Sequence, residues 1–264
     1  MTASTYVKVS CVAAAIALSA AVMGSPSAMA ASAPTAAPVK NIVLVHGFFA
    51  DGSGWERVSK ILTHDGYKVS VVQEPETSFA DDVKATERVV DAQEGPSILV
   101  GHSYGGAVVT EAGNDPKVSG LVYVAAFQPD AGESPMDLVK KMPPATTAIK
   151  ATADGYLYLD PASFHADFAA DVPAAEAQFM ASSQVMPAAQ SFGVPITTPA
   201  WKTKPSWAVV ATNDRAINPD LERFMTKRAG STTVEIGSSH VAYISHPAEV
   251  AKLIEQAANN SNKQ

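Results

Sequence analysis

Short apolar runs alternate with amphipathic stretches along most of the chain, and this alternation predicts a parallel β-sheet layered with helices. The runs are continuous rather than alternating, as expected for strands that are covered by helices on both faces. Six such runs with helical stretches between them are typical of βαβ units. The predicted strands lie at 42–45, 69–72, 98–100, 121–125, 207–211 and 232–236, and the predicted helices at 55–64, 80–92, 105–113, 219–229 and 247–258.

The regular alternation stops after the fourth predicted strand. Between about residues 128 and 200 the chain is rich in Pro, Ala and Met. Short helices separated by prolines fit this composition. We therefore predict a small helical lid, inserted after the fourth strand, over the edge of the sheet where open α/β sheets bind ligands.

The first thirty residues have the composition of a secretory signal peptide. One basic residue, Lys8, precedes an apolar run over 11–23 that is too short to span a bilayer. Residues 28–30 then satisfy the small-residue cleavage rule, so we expect cleavage after Ala30. The alternatives are an uncleaved membrane anchor and a chain lipidated at Cys11, although Cys11 lies at the start of the apolar run and not at a cleavage site. With cleavage, the protein is expected in the periplasm or outside the cell, without stable membrane insertion.

After the predicted cleavage site, residues 31–38 are only Ala, Ser, Thr and Pro, a composition that predicts a short disordered lead. The remaining residues, 39–264, are expected to form one domain with the lid as its insertion. The sequence does not indicate an oligomeric state.

Composition narrows the candidate chemistry. The chain has 19 Lys and Arg against 26 Asp and Glu, with no basic cluster, so nucleic acid is not an expected partner. Its single cysteine, Cys11, lies in the predicted signal, so the mature chain has no disulfide and no cysteine nucleophile. Because no metal-ligand cluster or phosphate loop stands out, we predict no cofactor and no metal.

The strongest local motif is the Gly-x-Ser-x-Gly sequence of residues 101–105, which joins the third predicted strand to a helix. A tight turn in this setting exposes a serine hydroxyl, and the helix N-terminus favours the anion that forms when the serine attacks a carbonyl. We predict Ser103 as the nucleophile. The backbone N–H of Tyr104 and that of Phe48, in the loop after the first strand, are the predicted oxyanion donors.

A serine nucleophile needs a base and an acid, and both are expected in loops after the last two strands. His240 follows the last predicted strand in a loop of small residues, and we predict it as the base. Asp214 follows the preceding strand and is the predicted acid, which gives the chain order Ser, Asp, His. His64, His165 and His246 are the rival bases, in a helix, in the lid and at a helix start; Asp220 is the rival acid, at a helix start.

These motifs resemble one branch of the α/β-hydrolase fold, which contains plant methylesterases, hydroxynitrile lyases and bacterial pyrethroid-hydrolase-like esterases. The resemblance runs from about residue 39 to residue 258. It rests on residues 44–47 with Trp55, on 101–106, on Tyr123-Val124-Ala125-Ala126-Phe127-Gln128-Pro129-Asp130, and on the loops of Asp214 and His240.

The resemblance implies the α/β-hydrolase fold, a triad of Ser103, Asp214 and His240, and a small-molecule ester bound beneath the lid. Lyase members carry a threonine where this chain has Gly47 and a lysine where it has Val241. Hydrolysis is therefore favoured over the lyase reaction.

The sequence thus predicts a serine carboxylic-ester hydrolase that works through an acyl-enzyme on Ser103. Three other uses of the same acyl-enzyme stay open: an acyltransferase, a perhydrolase and a lactonase. A slow-turnover binding protein on the hydrolase scaffold is the alternative from a different class. Dehalogenases and soluble epoxide hydrolases are disfavoured, because those chemistries usually need a carboxylate at the position of Ser103.

Overall fold

The computed structural model describes residues 5–8, 10 and 38–261. The chain divides into two units, Met1–Pro34 and Thr35–Gln264, and the second holds every helix and strand of the described residues. Most of the predicted signal peptide, with its cleavage site, and residues 31–37 of the predicted lead lie outside the described residues. No described helix is long and apolar enough to cross a membrane.

The described strands are short, with three to nine residues each. They are β1 (Asn41–Val45), β2 (Lys68–Val71), β3 (Ser97–Ser103), β4 (Val118–Ala126), β5 (Ile149–Ala151), β6 (Leu157–Leu159), β7 (Ser206–Ala211) and β8 (Thr232–Ile236).

Six strands form one parallel sheet in the order β2-β1-β3-β4-β7-β8. This confirms the predicted architecture. Every residue of β3 is buried, including the apolar run at 98–100 on which its prediction rests. Because all six strands run the same way, the loops that follow β1, β3, β7 and β8 meet at one edge of the sheet.

Nine helices are described, and some of them begin or end at residues that the capping rules favour. They are α1 (Glu56–His64), α2 (Phe79–Asp91), α3 (Gly105–Ala112), α4 (Pro135–Lys141), α5 (Pro161–Phe168), α6 (Ala174–Ser183), α7 (Pro219–Ala229), α8 (Ala242–Ser245) and α9 (Pro247–Asn260). Ser78 caps α2 by accepting the Asp81 N–H, and Gly230 ends α7 in the left-handed region at φ 69°. Helix α1 packs on α9, and α2 packs on α3.

The segment between β4 and β7 contains α4, α5 and α6, together with 3-10 turns at Ala189–Gly193 and Ala200–Lys202. It also contains an antiparallel hairpin of β5 and β6, which the helical prediction for this segment lacked. Each strand of the hairpin has only three residues, too few to show a period of two in the sequence. Gly155, at φ 90°, lies in the turn between the two strands.

Candidate active site

Ser103 lies at the end of β3, on a sharp turn that leads into α3. Its φ of 53° is in the left-handed region, which a non-glycine residue rarely adopts. The turn is possible because glycines flank it: a Cβ on Gly101 would lie 2.5 Å from Gly105 O, and one on Gly105 would lie 2.3 Å from His46 O. The backbone strain is therefore held by close packing on both sides of the serine.

His240 and Asp214 form a buried hydrogen-bonded pair. The His240 Nδ1–H donates to Asp214 Oδ2 at 2.5 Å, and both residues lie in the loops after the last two strands of the sheet. The other carboxylate oxygen, Asp214 Oδ1, accepts the N–H groups of Ala216 and Ile217 at 2.7 and 2.9 Å. These three donors fix the carboxylate, and the carboxylate in turn fixes the tautomer of the imidazole.

Ser103 lies beside this pair, since Ser103 and His240 line the same cavity. Among the described residues, the Ser103 hydroxyl has no hydrogen-bond partner. Catalytic hydrogen bonds are often long without substrate and shorten when the substrate binds. The sequence-predicted nucleophile, base and acid are thus brought together at one edge of the sheet.

The loop after β1 lies directly against the turn of the nucleophile. A Cβ on Gly47 would lie 2.6 Å from Ser103 Cβ and 3.2 Å from Tyr104 N. The next residue, Phe48, stacks its ring on that of Tyr104 with centroids 3.9 Å apart. Neither the Phe48 N–H nor the Tyr104 N–H donates to another group of the described residues. Both predicted oxyanion donors are therefore unengaged and adjacent to the serine.

A cavity of about 260 Å³ opens between this edge of the sheet and the lid. Ser103 and His240 lie in its wall, and the described residues that line it include no Asp, Glu, Lys or Arg. The apolar part of the wall comes from both the sheet loops and the lid, and includes Phe48, Phe127, Met136, Phe168, Phe192 and Ile217. The cavity therefore suits a neutral, largely apolar molecule.

His102 contacts His240, the predicted base, and the sequence did not indicate this contact. Its Nε2–H donates to the backbone O of His240 at 3.1 Å, and the two rings lie 4.7 Å apart. Burial, followed by the neighbouring ring of His240, lowers the pKa of His102 well below its ordinary range, so the ring is neutral. The position of His102 next to the nucleophile in the motif was the only sequence signal.

Behind the first loop, His46 lies in an enclosed cluster with Glu74 and Glu76. Their ligand-type atoms all lie within 4.8 Å of one another, and the carboxyl oxygens of both glutamates lack hydrogen-bond partners among the described residues. His46 Nε2, however, accepts the Glu74 N–H at 3.0 Å, so Nδ1 carries the ring proton. Since Nδ1 is the nitrogen that faces the carboxyl groups, this geometry does not fit a metal ion on His46.

The same cluster reaches the turn after Ser103 through Asp82, a residue of α2. Its two oxygens accept the Glu76 N–H at 2.8 Å and the Tyr104 hydroxyl at 2.9 Å. Burial, together with Asp82 and Asp51, raises the pKa of Glu76 to about 10, and burial raises the pKa of Asp82 to about 6. Asp82 thereby holds the side chain of Tyr104, whose backbone N–H is one of the two predicted oxyanion donors.

Comparison with known proteins finds relatives among hydrolases. A model of the alpha/beta hydrolase family matches residues 42–253. A carbendazim-hydrolysing esterase from Nocardioides sp. strain SG-4G is 34% identical over 123 residues; the match covers 41% of this chain and 51% of that protein, so the chain spans about half its length. A pyrethroid hydrolase from Sphingobium wenxiniae is 28% identical over 252 residues, which cover 84% of this chain and 88% of that protein.

A solved structure of a pyrethroid hydrolase from Sphingobium faniae JZ-2 has the same fold. The two chains superpose with a TM-score of 0.74 and are 23% identical. The match covers 86% of this chain and 100% of the other. At this identity the likeness concerns the fold alone. The chain thus has the overall fold of a known hydrolase.

Proposed function

The chain belongs to the alpha/beta hydrolase family, and from this premise we propose that it is a serine esterase that cleaves small-molecule carboxylic esters through an acyl-enzyme on Ser103. Ser103 is the nucleophile, His240 the general base and acid, and Asp214 the group that orients His240. The backbone N–H groups of Phe48 and Tyr104 are the oxyanion donors. No cofactor takes part.

In the acylation step, Ser103 Oγ attacks the ester carbonyl carbon while His240 Nε2 takes the hydroxyl proton. The carbonyl oxygen becomes an oxyanion, which the two backbone N–H groups stabilise where its charge develops. Collapse of this intermediate breaks the ester C–O bond, and the imidazolium of His240 gives its proton to the leaving alcohol. Asp214 stabilises the imidazolium but does not itself take the proton.

In the deacylation step, a water molecule replaces the alcohol. His240 takes one of its protons as the oxygen attacks the acyl carbon, and then returns it to Ser103 Oγ as the acid leaves. The free serine and the neutral imidazole are restored, so the cycle consumes one ester and one water and yields one acid and one alcohol.

One observation carries the proposal: a single imidazole is hydrogen-bonded to a buried carboxylate on one side and shares a cavity with a strained serine on the other. The unengaged N–H groups beside the serine support the oxyanion role. The cavity without charged lining residues supports a neutral ester as substrate, and the names of the pyrethroid hydrolase and the carbendazim-hydrolysing esterase support the same class.

The test is hydrolysis of a p-nitrophenyl ester series, from acetate to octanoate, by the protein and by Ser103→Ala, His240→Ala and Asp214→Asn. Intact mass after treatment with a fluorophosphonate probe reports whether the serine is reactive. Each substitution is expected to lower kcat by about a thousand-fold or more, since the three side chains act as a unit. Ser182→Ala, at an exposed serine of α6, is the matched control and keeps the wild-type rate.

Full turnover by Ser103→Ala would overturn the proposal. Absence of both turnover and a probe adduct in the wild-type protein would instead support the binding-protein alternative. Added methanol, hydroxylamine or hydrogen peroxide separates hydrolysis from acyl transfer, because a transferase forms mainly the methyl ester, hydroxamate or peracid in place of the free acid.

A further inference from the structure

We propose that the lid positions the catalytic acid and base in addition to covering the cavity. The segment 167–171, at the end of α5, contacts the loops of both Asp214 and His240, and we call it the clamp segment. This inference rests on the proposed function, because the residues that the segment positions are those of the proposed triad.

Asp171 holds the loop of the base. Its Oδ2 accepts the Ser239 N–H at 3.0 Å, and its Oδ1 accepts the Ser239 hydroxyl. Ser239 directly precedes His240, so the lid carboxylate fixes both the backbone and the side chain of the residue next to the imidazole. His246 directly precedes the last helix, and its Nδ1 lies 3.7 Å from the same carboxylate.

Asp167 holds the loop of the acid in a similar way. Its Oδ1 accepts Arg215 Nε–H at 2.7 Å, and its Oδ2 accepts the Thr146 hydroxyl at 2.7 Å. The Thr146 N–H in turn donates to the backbone O of Arg215 at 2.8 Å. Arg215 directly follows Asp214, so its side chain and its backbone are both tied to the lid.

Phe168 lies between the two carboxylates along the chain and packs on the base itself. Its ring centroid is 4.8 Å from that of His240, at an interplanar angle of 56°, and the side chain is buried. Within five consecutive residues the lid thus contacts the residue after the acid, the residue before the base, and the imidazole.

Both clamp carboxylates are stabilised in their charged form. Burial alone would raise the pKa of Asp167, but the hydrogen bonds from Arg215 and Thr146 outweigh it and lower the pKa; the two hydrogen bonds from Ser239 do the same for Asp171. Hydrogen bonds to a charged acceptor are roughly twice as strong as neutral ones. The clamp therefore holds the two loops through ionised groups at neutral pH.

Neither Asp167 nor Asp171 lines the cavity. Loss of either carboxylate should therefore affect the geometry of the triad more than the binding of substrate. A displacement of about 1 Å at a reacting group costs about a hundred-fold in rate, so small movements of these loops have large effects on kcat.

The experiment compares kcat and KM for p-nitrophenyl butyrate among Asp171→Ala, Asp171→Asn and Asp167→Ala. Asp171→Ala is expected to lower kcat by about 10- to 100-fold, with KM changed by less than about threefold. Asp171→Asn keeps one oxygen that can accept from Ser239, so its kcat should lie between those of Asp171→Ala and the wild type. Asp167→Ala should show the same split between kcat and KM.

The matched control is Asp160→Ala. Asp160 caps the other end of α5, pairs with Lys150 and contacts neither triad loop, so its loss destabilises the same lid helix without releasing the clamp. Thermal unfolding of each variant checks that it is folded. Ser239→Ala removes one clamp hydrogen bond from the other side, and its combination with Asp171→Ala should be no slower than Asp171→Ala alone.

Wild-type kcat in both Asp171→Ala and Asp167→Ala would overturn the inference, as would an equal loss of kcat in Asp160→Ala. These results are separable from failure of the proposed function, for which the readout is activity in Ser103→Ala. The rate of fluorophosphonate labelling gives a second reading, since it should fall in proportion to kcat when the base is misplaced.

Discussion

Glu76 is a carboxyl group in an enclosed site, next to a second one at Glu74 and close to Asp82. Its ordinary pKa of 4.5 is raised to about 10, first by burial and then by the charges of Asp82 and Asp51. Between about pH 4.5 and about pH 10, Glu76 keeps a proton in the folded protein that it has lost in the unfolded chain. The stabilising contribution of the proton is complete below about pH 4.5 and is lost as the pH rises towards about 10.

We therefore expect Glu76→Gln to unfold at a higher temperature than the wild type in mildly alkaline solution. Glutamine has the same shape as the protonated acid but does not titrate. One retained proton corresponds to at most about 1.4 kcal/mol of unfolding free energy for each pH unit. Thermal or urea unfolding at about pH 6 and about pH 9 measures the difference, which should grow with pH.

The control for this prediction is Glu87→Gln, at an exposed glutamate of α2. Its stability should follow that of the wild type at both pH values. A Glu76→Gln protein with the same loss of stability between the two pH values as the wild type would show that Glu76 does not hold the proton.

At the scale of single residues, the sequence indicated the groups that local rules specify. Ser103 ends a strand, Asp214 and His240 follow the ends of two others, and chain direction alone brings such positions to one edge of the sheet. Asp171 and His102 could not be recognised in the same way. Their contacts with the loop of His240 join residues that are 68 and 138 positions apart in the chain, and depend on how the lid and the rings pack.

At the scale of the elements, the turn between β3 and α3 depends on the absence of side chains at its glycines. A Cβ on Gly105 would lie 2.3 Å from His46 O and 3.0 Å from Val45 O, both of which are backbone atoms of the first strand and its loop. Backbone atoms cannot rotate away as side chains do, so the turn and the loop after β1 would have to separate.

Gly105→Ala is accordingly expected to lower the unfolding free energy by about 2 kcal/mol or more, as in other overpacked interiors. It should also lower kcat, because the same movement carries Phe48 N–H away from Ser103. Denaturant unfolding and ester hydrolysis measure the two effects. Gly193→Ala, where an added Cβ meets nothing within 4 Å, is the control and should change neither.

The core elements could be predicted because their signals are local. A continuous apolar run predicts β3, and an amphipathic pattern predicts α2. Neither prediction depends on the tertiary structure around these elements. The hairpin of β5 and β6 has no such signal, because each strand has three residues and its partner is the other short strand. Its contribution to the cavity, through Ile149 and Leu157, was equally hidden.

At the scale of the whole molecule, the cavity between sheet and lid receives side chains from many parts of the chain, and none of the described lining residues is charged. A charged substrate group would lose its hydration without gaining a partner there, at a cost of several kcal/mol. The enclosure therefore selects against charge without a dedicated recognition residue.

We expect p-nitrophenyl butyrate to be hydrolysed with a kcat/KM at least about a hundred-fold above that of mono-p-nitrophenyl succinate, whose acyl chain ends in a carboxylate. Steady-state rates for the two esters measure the ratio. Met136→Lys, at the half-buried start of α4, places a cation at the cavity wall and should lower the ratio of kcat/KM between the neutral and the charged ester. Equal rates for the two esters in the wild type would mean that the charged chain does not enter this cavity.

The attachment of the clamp segment to both triad loops bears on redesign of the enzyme. Exchanging the lid for a foreign one is a direct route to new substrates, but here residues 167–171 belong to the lid, whereas their partners Arg215 and Ser239 belong to the sheet loops. A graft without two carboxylates at this spacing would supply a new pocket but remove the hydrogen bonds to the loops of the proposed acid and base. Chimaeras should therefore keep α5 and the clamp segment of the parent and exchange the rest of the lid. The pocket would then change shape while the turnover rate of the parent is retained.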